Sequence, residues 1–410
     1  MDVIHNINEH TLTHIAPSKY GEDGIGVFAS TQIKSGTLLF QLPEGFSVGT
    51  VEVSGEEIKR YIYNPAALDF SKMRIIPHID ESSMYVVGKS TRTPTDDELI
   101  YSLPANGPNC VGQSSYIGHA NEDQSYNVKL SNTLDSSGYL AMETTRVIEK
   151  GEELLVQHDK DLLKHHHAFV KSAMNALQDP NASVNKEAIK KNVNEIEDED
   201  EQKKHLIENF NEFYLKLAVS SIHGVGVVVA DHPGAVIQPG SNPFYLPRGY
   251  SGYETIDLTR QQLDQLITSP AGKDFVLKYC NPSKNEDGLM IYPVPTCGAN
   301  GIDLSYFVNS AKGTGRSCNL VLGEGRDARG LTPLVFNDGV DMSMSVGDEL
   351  LTNYTPAIEG IDWNNKNPFI RLLAAVLEAV GLRFILQEAI AKAKKVIIGR
   401  TRSRVRSSST

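Results

Sequence analysis

Gly224–Ala230 reads GVGVVVA, and Gly24–Ser30 reads GIGVFAS. Each pair of glycines opens a longer run of likeness. IKSGTLLFQLPEGFS from Ile33 is answered by IQPGSNPFYLPRGYS from Ile237, SYIGHA from Ser115 by SYFVNS from Ser305, and GEELLVQH from Gly151 by GDELLTNY from Gly347. The four blocks keep their order and stand 190 to 204 positions apart. That period is far longer than one solenoid unit, so the reading is two homologous domains. Comparing the copies then tests the chemistry, because one copy can keep what the other has lost.

Taken alone, Gly-x-Gly invites a dinucleotide-binding reading. Neither copy has the third glycine, and the residues that follow are β-like where a helix is needed. An isolated pair is a tight turn between strands. Runs such as NVKLSN, NLVLGE and TPLVF, punctuated by Gly and Pro, predict many short strands. Between the repeats, 160–177 and 186–217 carry helical spacing, broken at Asp179-Pro180. The acidic run Glu195–Glu201 reads as a solvated face or a joint. Phe369, Leu373, Val376, Val380 and Phe384 share one stripe of a last helix. The expected organisation is mainly β with α: one repeat over 1–158, a helical linker over 159–217, a second repeat over 218–363, a helix over 364–398 and a basic tail over 399–410. The linker and last helix are expected to clamp the repeats together.

A chain of 410 residues has room for two domains and accessory segments. Its net charge of −12 argues against a general nucleic-acid binder and suits a basic protein partner. Cys110, Cys280, Cys297 and Cys318 show no CxxC spacing and no ordered His partners, which argues against zinc and for a reducing compartment. Consecutive His165, His166 and His167 cannot share one helix face, so they read as a solvent-exposed run. Cys318 has no His–Asp company and reads as a buried thiol. No basic region leads into an apolar run at the N-terminus, as a signal peptide requires. The most apolar stretch, from Pro368, is interrupted by Arg371, Glu378 and Arg383, so it reads as a helix packed on protein and not as a membrane span. The expected location is intracellular, cytoplasmic or nuclear, with delivery into another cell left open. The oligomeric state is not legible.

The ordered set of motifs resembles the SET-domain protein lysine methyltransferases. Their pattern runs from Gly-x-Gly, through an aromatic–Ile–Asn–His–Ser segment and a downstream Asn, to Gly-Glu-Glu-Leu with a Tyr four residues after the Leu. The second repeat supplies Gly224 and Gly226, Tyr306-Phe-Val-Asn309-Ser310, Asn319, and Gly347-Asp-Glu349-Leu350 with Tyr354. The first supplies Gly24 and Gly26, Tyr116-Ile-Gly118-His119, Asn127, and Gly151-Glu-Glu153-Leu154. The resemblance implies a fold of small sheets in which the Asn–His and closing Tyr segments thread together. It also implies an S-adenosyl-L-methionine cleft and, from the opposite face, a narrow channel for a substrate lysine.

Methyl transfer from a sulfonium is an in-line displacement, so the protein chiefly aligns donor and acceptor. A tyrosine hydroxyl can hold the neutral amine, and an apolar channel lowers a lysine pKa by disfavouring its charged form. No metal is needed. The copies are unequally equipped. At the closing Tyr the second has Tyr354 and the first His158; at the Asn, Asn309 and Gly118; at the following His, Ser310 and His119. The resemblance thus implies that the second copy is the enzyme, with Tyr354 catalytic and Gly224, Gly226, Tyr306, Asn309, Ser310, Asn319 and Trp363 around the cofactor. Trp363 reads equally as a core or interface tryptophan. The first copy reads as a degenerate partner. A scaffold that kept the fold alone, without cofactor, is the rival reading.

Overall fold

A glycine-led hairpin opens each half of the computed structural model. It describes residues 3–353 apart from intervening segments, the longest being 69–77, 80–94, 179–187, 231–238, 245–254 and 324–332. Trp363, the helix expected over 364–398 and the basic tail lie outside the described residues, as do Tyr354, His158 and most of the acidic run. So the share of any clamp assigned to the last helix falls there too.

The helix Val3–His10 comes first. Strands β1 (Thr13–Pro17) and β2 (Ile25–Ala29) then pair antiparallel from Thr13↔Ala29 to Pro17↔Ile25. Further on come β3 (Leu38–Leu39), β4 (Thr50–Ser54), β5 (His78–Ile79), β6 (Leu99–Pro104), β7 (Gly118–His119), β8 (Val128–Leu134), β9 (Leu140–Thr144) and β10 (Leu155–Val156). They form two sheets, ordered β4-β6-β5 and β3-β9-β8-β10-β7. The last strand, β10, enters between β7 and β8 and runs parallel to both.

The second half repeats the scheme. Its hairpin is β11 (Leu215–Val219) with β12 (Val225–Val229), in register Leu215↔Val229 to Val219↔Val225. Then come β13 (Thr255–Thr259), β14 (Ser283–Lys284), β15 (Met290–Pro295), β16 (Asn309–Ser310), β17 (Leu320–Leu322), β18 (Leu334–Phe336) and β19 (Leu351–Thr352). The sheets are ordered β13-β15-β14 and β16-β19-β17-β18, and β19 again lies between two earlier strands, parallel to both. The fold is mixed α+β, built of small sheets.

Local chemistry explains the shared accessory elements. After β4, Ser54 caps a helix over Gly55–Tyr61, and Glu57 reaches back to the Ser54 backbone. After β13, Thr259 and Gln262 do the same for the helix Arg260–Leu266. Each reciprocal pair satisfies two donors that a helix start leaves orphaned. The structure also fixes a register the sequence blurred. Gly118 pairs with Leu155 as Asn309 pairs with Leu351, so buried Tyr116 corresponds to buried Phe307, not to half-buried Tyr306.

The intervening helices Lys160–Gln178 and Glu201–Glu212 bury Phe169, Val170, Leu206, Ile207 and Phe210. The helix Glu201–Glu212 ends where Asn211 and the carbonyls of Phe210 and Phe213 bond residues 61–64 of the first half. β11 begins at Leu215, inside the 159–217 segment, so the second hairpin starts earlier than expected. The histidine run is corrected in part. His166 is fully buried, its Nδ1 2.9 Å from the Tyr101 hydroxyl, and His165 Nε2 lies 3.0 Å from Asp96 Oδ1. Adjacent positions point about 100° apart around a helix, so one of three neighbours can face the core.

An N-terminal clamp joins the halves. Asn8 bonds the backbone of Leu266, Thr268 and Ser269, and Asn300 donates to the carbonyls of His10 and Gln41. Gln113 donates to Ala299 O at 2.7 Å.

Candidate functional site

The second hairpin's turn is closed by the Ser220 N–H, which donates to Gly224 O at 2.9 Å. Gly224 has φ +58, the left-handed region that side chains resist, and a Cβ there would meet nothing within 4 Å. The Ser220 hydroxyl accepts from the N–H groups of Ile222 and His223 and donates to Glu349 Oε1 at 2.6 Å. The carboxylate occupies the space beside Gly226, where a Cβ would collide with it.

Asn309, on β16, meets the same carboxylate. Its Nδ2 lies 2.9 Å from Glu349 Oε1, 3.1 Å from His223 O and 3.2 Å from Val225 O. Arg316 approaches from the other side: Nη2 donates to Ser221 Oγ at 2.9 Å, and Nη1 is 3.8 Å from Glu349 Oε2. The Glu349 side chain is only 5% exposed, and the Ser220 and Asn309 donors, with the Arg316 cation beside them, compensate a charge taken out of water. The structure thus brings together Gly224, Gly226 and Asn309 around Glu349, Ser220 and Arg316. The repeated GEEL and GDEL blocks already carried Glu153 and Glu349. Nothing in the sequence marked Ser220 or Arg316.

The first half is plainer. Ser18 donates to Glu153 Oε1 at 2.5 Å, and Gly24 has φ +70. At the place of Asn309 stands Gly118, which has no amide to offer. Burial pushes the Glu153 carboxyl above its ordinary range, against the pull of the Ser18 hydroxyl.

Asn319 and Asn127 serve the threading. The Asn319 amide donates to Glu349 O and its oxygen accepts from Leu351 N–H; Asn127 does the same with Glu153 O and Leu155 N–H. Ser310 Oγ accepts from Lys312 N–H, and Ser310 pairs with Thr352, two residues before Tyr354. Tyr306 is half-buried in the turn before Asn309. Cys318 is half-buried, with Asn353 Nδ2 3.3 Å from its sulfur. Among the described residues, no group of three His, Cys, Asp or Glu could hold a metal, and no helix is long and apolar enough to cross a membrane.

Residues 24–159 match the family model of the SET domain. The match covers about a third of the chain and falls within the first of the two repeats. Among solved structures, the chain is similar to the methyltransferase domain of human PR domain-containing protein 2, at 17% identity, covering 38% of this chain and 82% of that one, with a TM-score of 0.23. It is also similar to ctPRC2 in an autoinhibited conformation bound to S-adenosylmethionine, at 16% identity, covering 38% of this chain and 16% of that one, with a TM-score of 0.21. No curated protein matches.

Proposed function

We propose that the chain transfers a methyl group from S-adenosyl-L-methionine to a lysine side chain of a protein substrate, and that the second half carries the reaction. The SET domain match supports the methyltransferase class. The same order of strand pairings in both halves supports reading the second as another SET-like copy. The observation that carries the assignment to the second half is the Asn309 amide, held between the Glu349 carboxylate and the carbonyls of the Gly-x-Gly turn. Gly118 leaves the first half without that link.

In this reading Gly224 and Gly226 let the backbone approach the cofactor, and Asn309, Ser310, Tyr306 and Trp363 line its cleft. Asn319 holds the strand leading to Tyr354, whose hydroxyl aligns the neutral amine. The cofactor supplies an electrophilic methyl group; these side chains bind it, orient the acceptor and exclude water. The substrate is a lysine-bearing protein, with a basic one suiting the acidic chain; neither direct nucleic-acid contact nor a membrane is part of the reading.

Calorimetric titration with S-adenosyl-L-methionine tests the proposal, followed by transfer of a labelled methyl group to a cell lysate. One cofactor per chain, with label on protein lysine, is expected. A folded chain that binds no cofactor would leave the scaffold reading in its place.

A further inference from the structure

The repeat reaches further back than the hairpins. Ahead of β1 the chain reads Asn6-Ile-Asn8-Glu9, and ahead of β11 it reads Asn209-Phe-Asn211-Glu212. Each stretch closes the helix that precedes its hairpin, Val3–His10 in one case and Glu201–Glu212 in the other. Ile7 and Phe210, the residues between the asparagines, are buried.

Each helix sits on the half to which it does not lead. Asn8 Oδ1 accepts from the N–H groups of Thr268 at 2.8 Å and Ser269 at 3.0 Å, and its Nδ2 donates to Leu266 O at 3.0 Å. Asn211 Oδ1 accepts from Tyr63 N–H at 2.9 Å, and its Nδ2 donates to Tyr61 O at 2.8 Å. Both asparagines thus read the exit of a capped helix, Arg260–Leu266 in one half and Gly55–Tyr61 in the other. The first asparagine of each pair meets a left-handed glycine, three residues past the proline that ends β15 or β6. A Cβ on Gly298 (φ +66) would collide with Asn6 Oδ1, and one on Gly107 (φ +81) would lie 3.1 Å from Asn209 Cβ. The hairpins cross in the same reciprocal sense, β1 packing on β12 and β2 on β11.

We propose that each half carries a docking site for an Asn-x-Asn helix, and that the partner it fits is the counterpart half of any copy of this chain, its own or a second. The site reads a planar amide that accepts on one side and donates on the other, and it buries the apolar residue between the two asparagines. Exchange of like elements is the arrangement by which identical protomers pair at low cost. Here the linker makes the exchange intramolecular and raises the effective concentration of each half for the other. The two sites hold the halves together whatever reaction the chain performs.

The test uses the full chain with a protease site inserted between Pro180 and Asn181. One version is tagged at the N-terminus and another at the C-terminus. Both are cut, mixed, unfolded in urea and refolded together. Capture of the tagged first half should bring down the tagged second half of the other copy. Asn8→Ala and Asn211→Ala are each expected to weaken this pairing about 10-fold, the worth of two or three hydrogen bonds at a packed interface. Asn8→Asp, which keeps the acceptor and loses the donor, should fall between. Asn192→Ala, which removes a long bond to Arg60 O at 3.4 Å, should change it less than about 2-fold. On the uncut chain, Asn8→Ala should speed hydrogen exchange through the helix Pro270–Tyr279, and Asn211→Ala through Gly55–Tyr61, each in the opposite half. If the uncut chain refolds and the cut halves do not pair, the linker and not the docking sites holds the halves, and the assignment is overturned. Pairing as tight in Asn8→Ala and Asn211→Ala as in wild type, or exchange unchanged in the opposite half, overturns it too.

Discussion

The Asn309 amide rests 2.9 Å from the Glu349 carboxylate and, through the same nitrogen, reaches the carbonyls of His223 and Val225. It thus ties a strand of the threaded sheet to the glycine turn. Asn309→Ala would take a donor from a nearly buried carboxylate and release the turn. Hydrogen bonds to charged groups contribute about 1.5–3 kcal/mol, so thermal unfolding should show a loss of that order and cofactor affinity should fall with it. Gly118→Ala, at the matching place in the first half, breaks no such link, and cofactor affinity should stay within about 2-fold of wild type. Equal affinities in Asn309→Ala and wild type would remove Asn309 from the site.

The two glycines of the second turn should respond differently to alanine. Gly224→Ala meets open space and incurs only the strain of φ +58, about 1–2 kcal/mol. Gly226→Ala drives a methyl group into the Glu349 carboxylate and to 2.9 Å from Asn309 Nδ2. Overpacking and displacement of a buried charge should cost more than the first change, about 3 kcal/mol or above. Denaturant unfolding of both variants checks the order. If Gly226→Ala is the milder of the two, the carboxylate does not fill that space.

Much of this site was legible because it is built from short motifs. The glycine pairs, the Glu of GEEL and GDEL, and the asparagines at 127 and 319 perform local backbone tasks that demand one residue type, so they stand out twice. The capping boxes Ser54–Glu57 and Thr259–Gln262 rest on an equally local spacing, a Ser or Thr followed three residues later by Glu or Gln. What no local pattern reveals is contact over long separations. Asn8 bonds residues some 260 positions away, and His166 is buried by a tyrosine 65 positions earlier. A clamp was expected from the linker and the last helix. Among the described residues, the helix Val3–His10 and the bonds of Gln41 and Gln113 to residues 299 and 300 join the halves, while the end of the linker helix bonds to the first half.

His14 gives that junction a pH dependence. Burial depresses its pKa to about 4, with Lys278 and Lys150 adding to the effect, Asp274 opposing it, and Ser30 Oγ 2.9 Å from Nδ1. The ordinary value is near 6.5, so between pH 6.5 and 4 the unfolded chain binds the proton that the folded chain refuses. The contribution is complete above pH 6.5, is lost as pH falls towards 4, and levels off below. It amounts to at most about 3 kcal/mol. Unfolding free energies measured from pH 4 to 7 should rise more steeply in wild type than in His14→Gln. Identical slopes would mean that His14 is protonated in the fold.

The last expectation concerns which half reacts. β19 pairs Thr352 with Ser310, and Tyr354 follows two residues later; β10 pairs Val156 with His119, and His158 follows at the same distance. Equivalent strands thus lead to a phenol in one half and an imidazole in the other. Tyr354→Phe removes one hydroxyl and keeps the ring, so folding should be unaffected. Loss of one preorganised polar group at a reacting centre typically lowers the rate about 100- to 1,000-fold. His158→Ala should leave the rate within about 3-fold of wild type, because the imidazole has no part in the proposed alignment. Transfer of a labelled methyl group to histones and to a cell lysate compares the three proteins, with cofactor titration as a check on binding. Tyr354→Phe should bind cofactor normally and transfer slowly. A wild-type rate in Tyr354→Phe, or a dead but folded His158→Ala, would move the active site to the first half, where Glu153 has Ser18 as its hydroxyl partner and no asparagine at position 118.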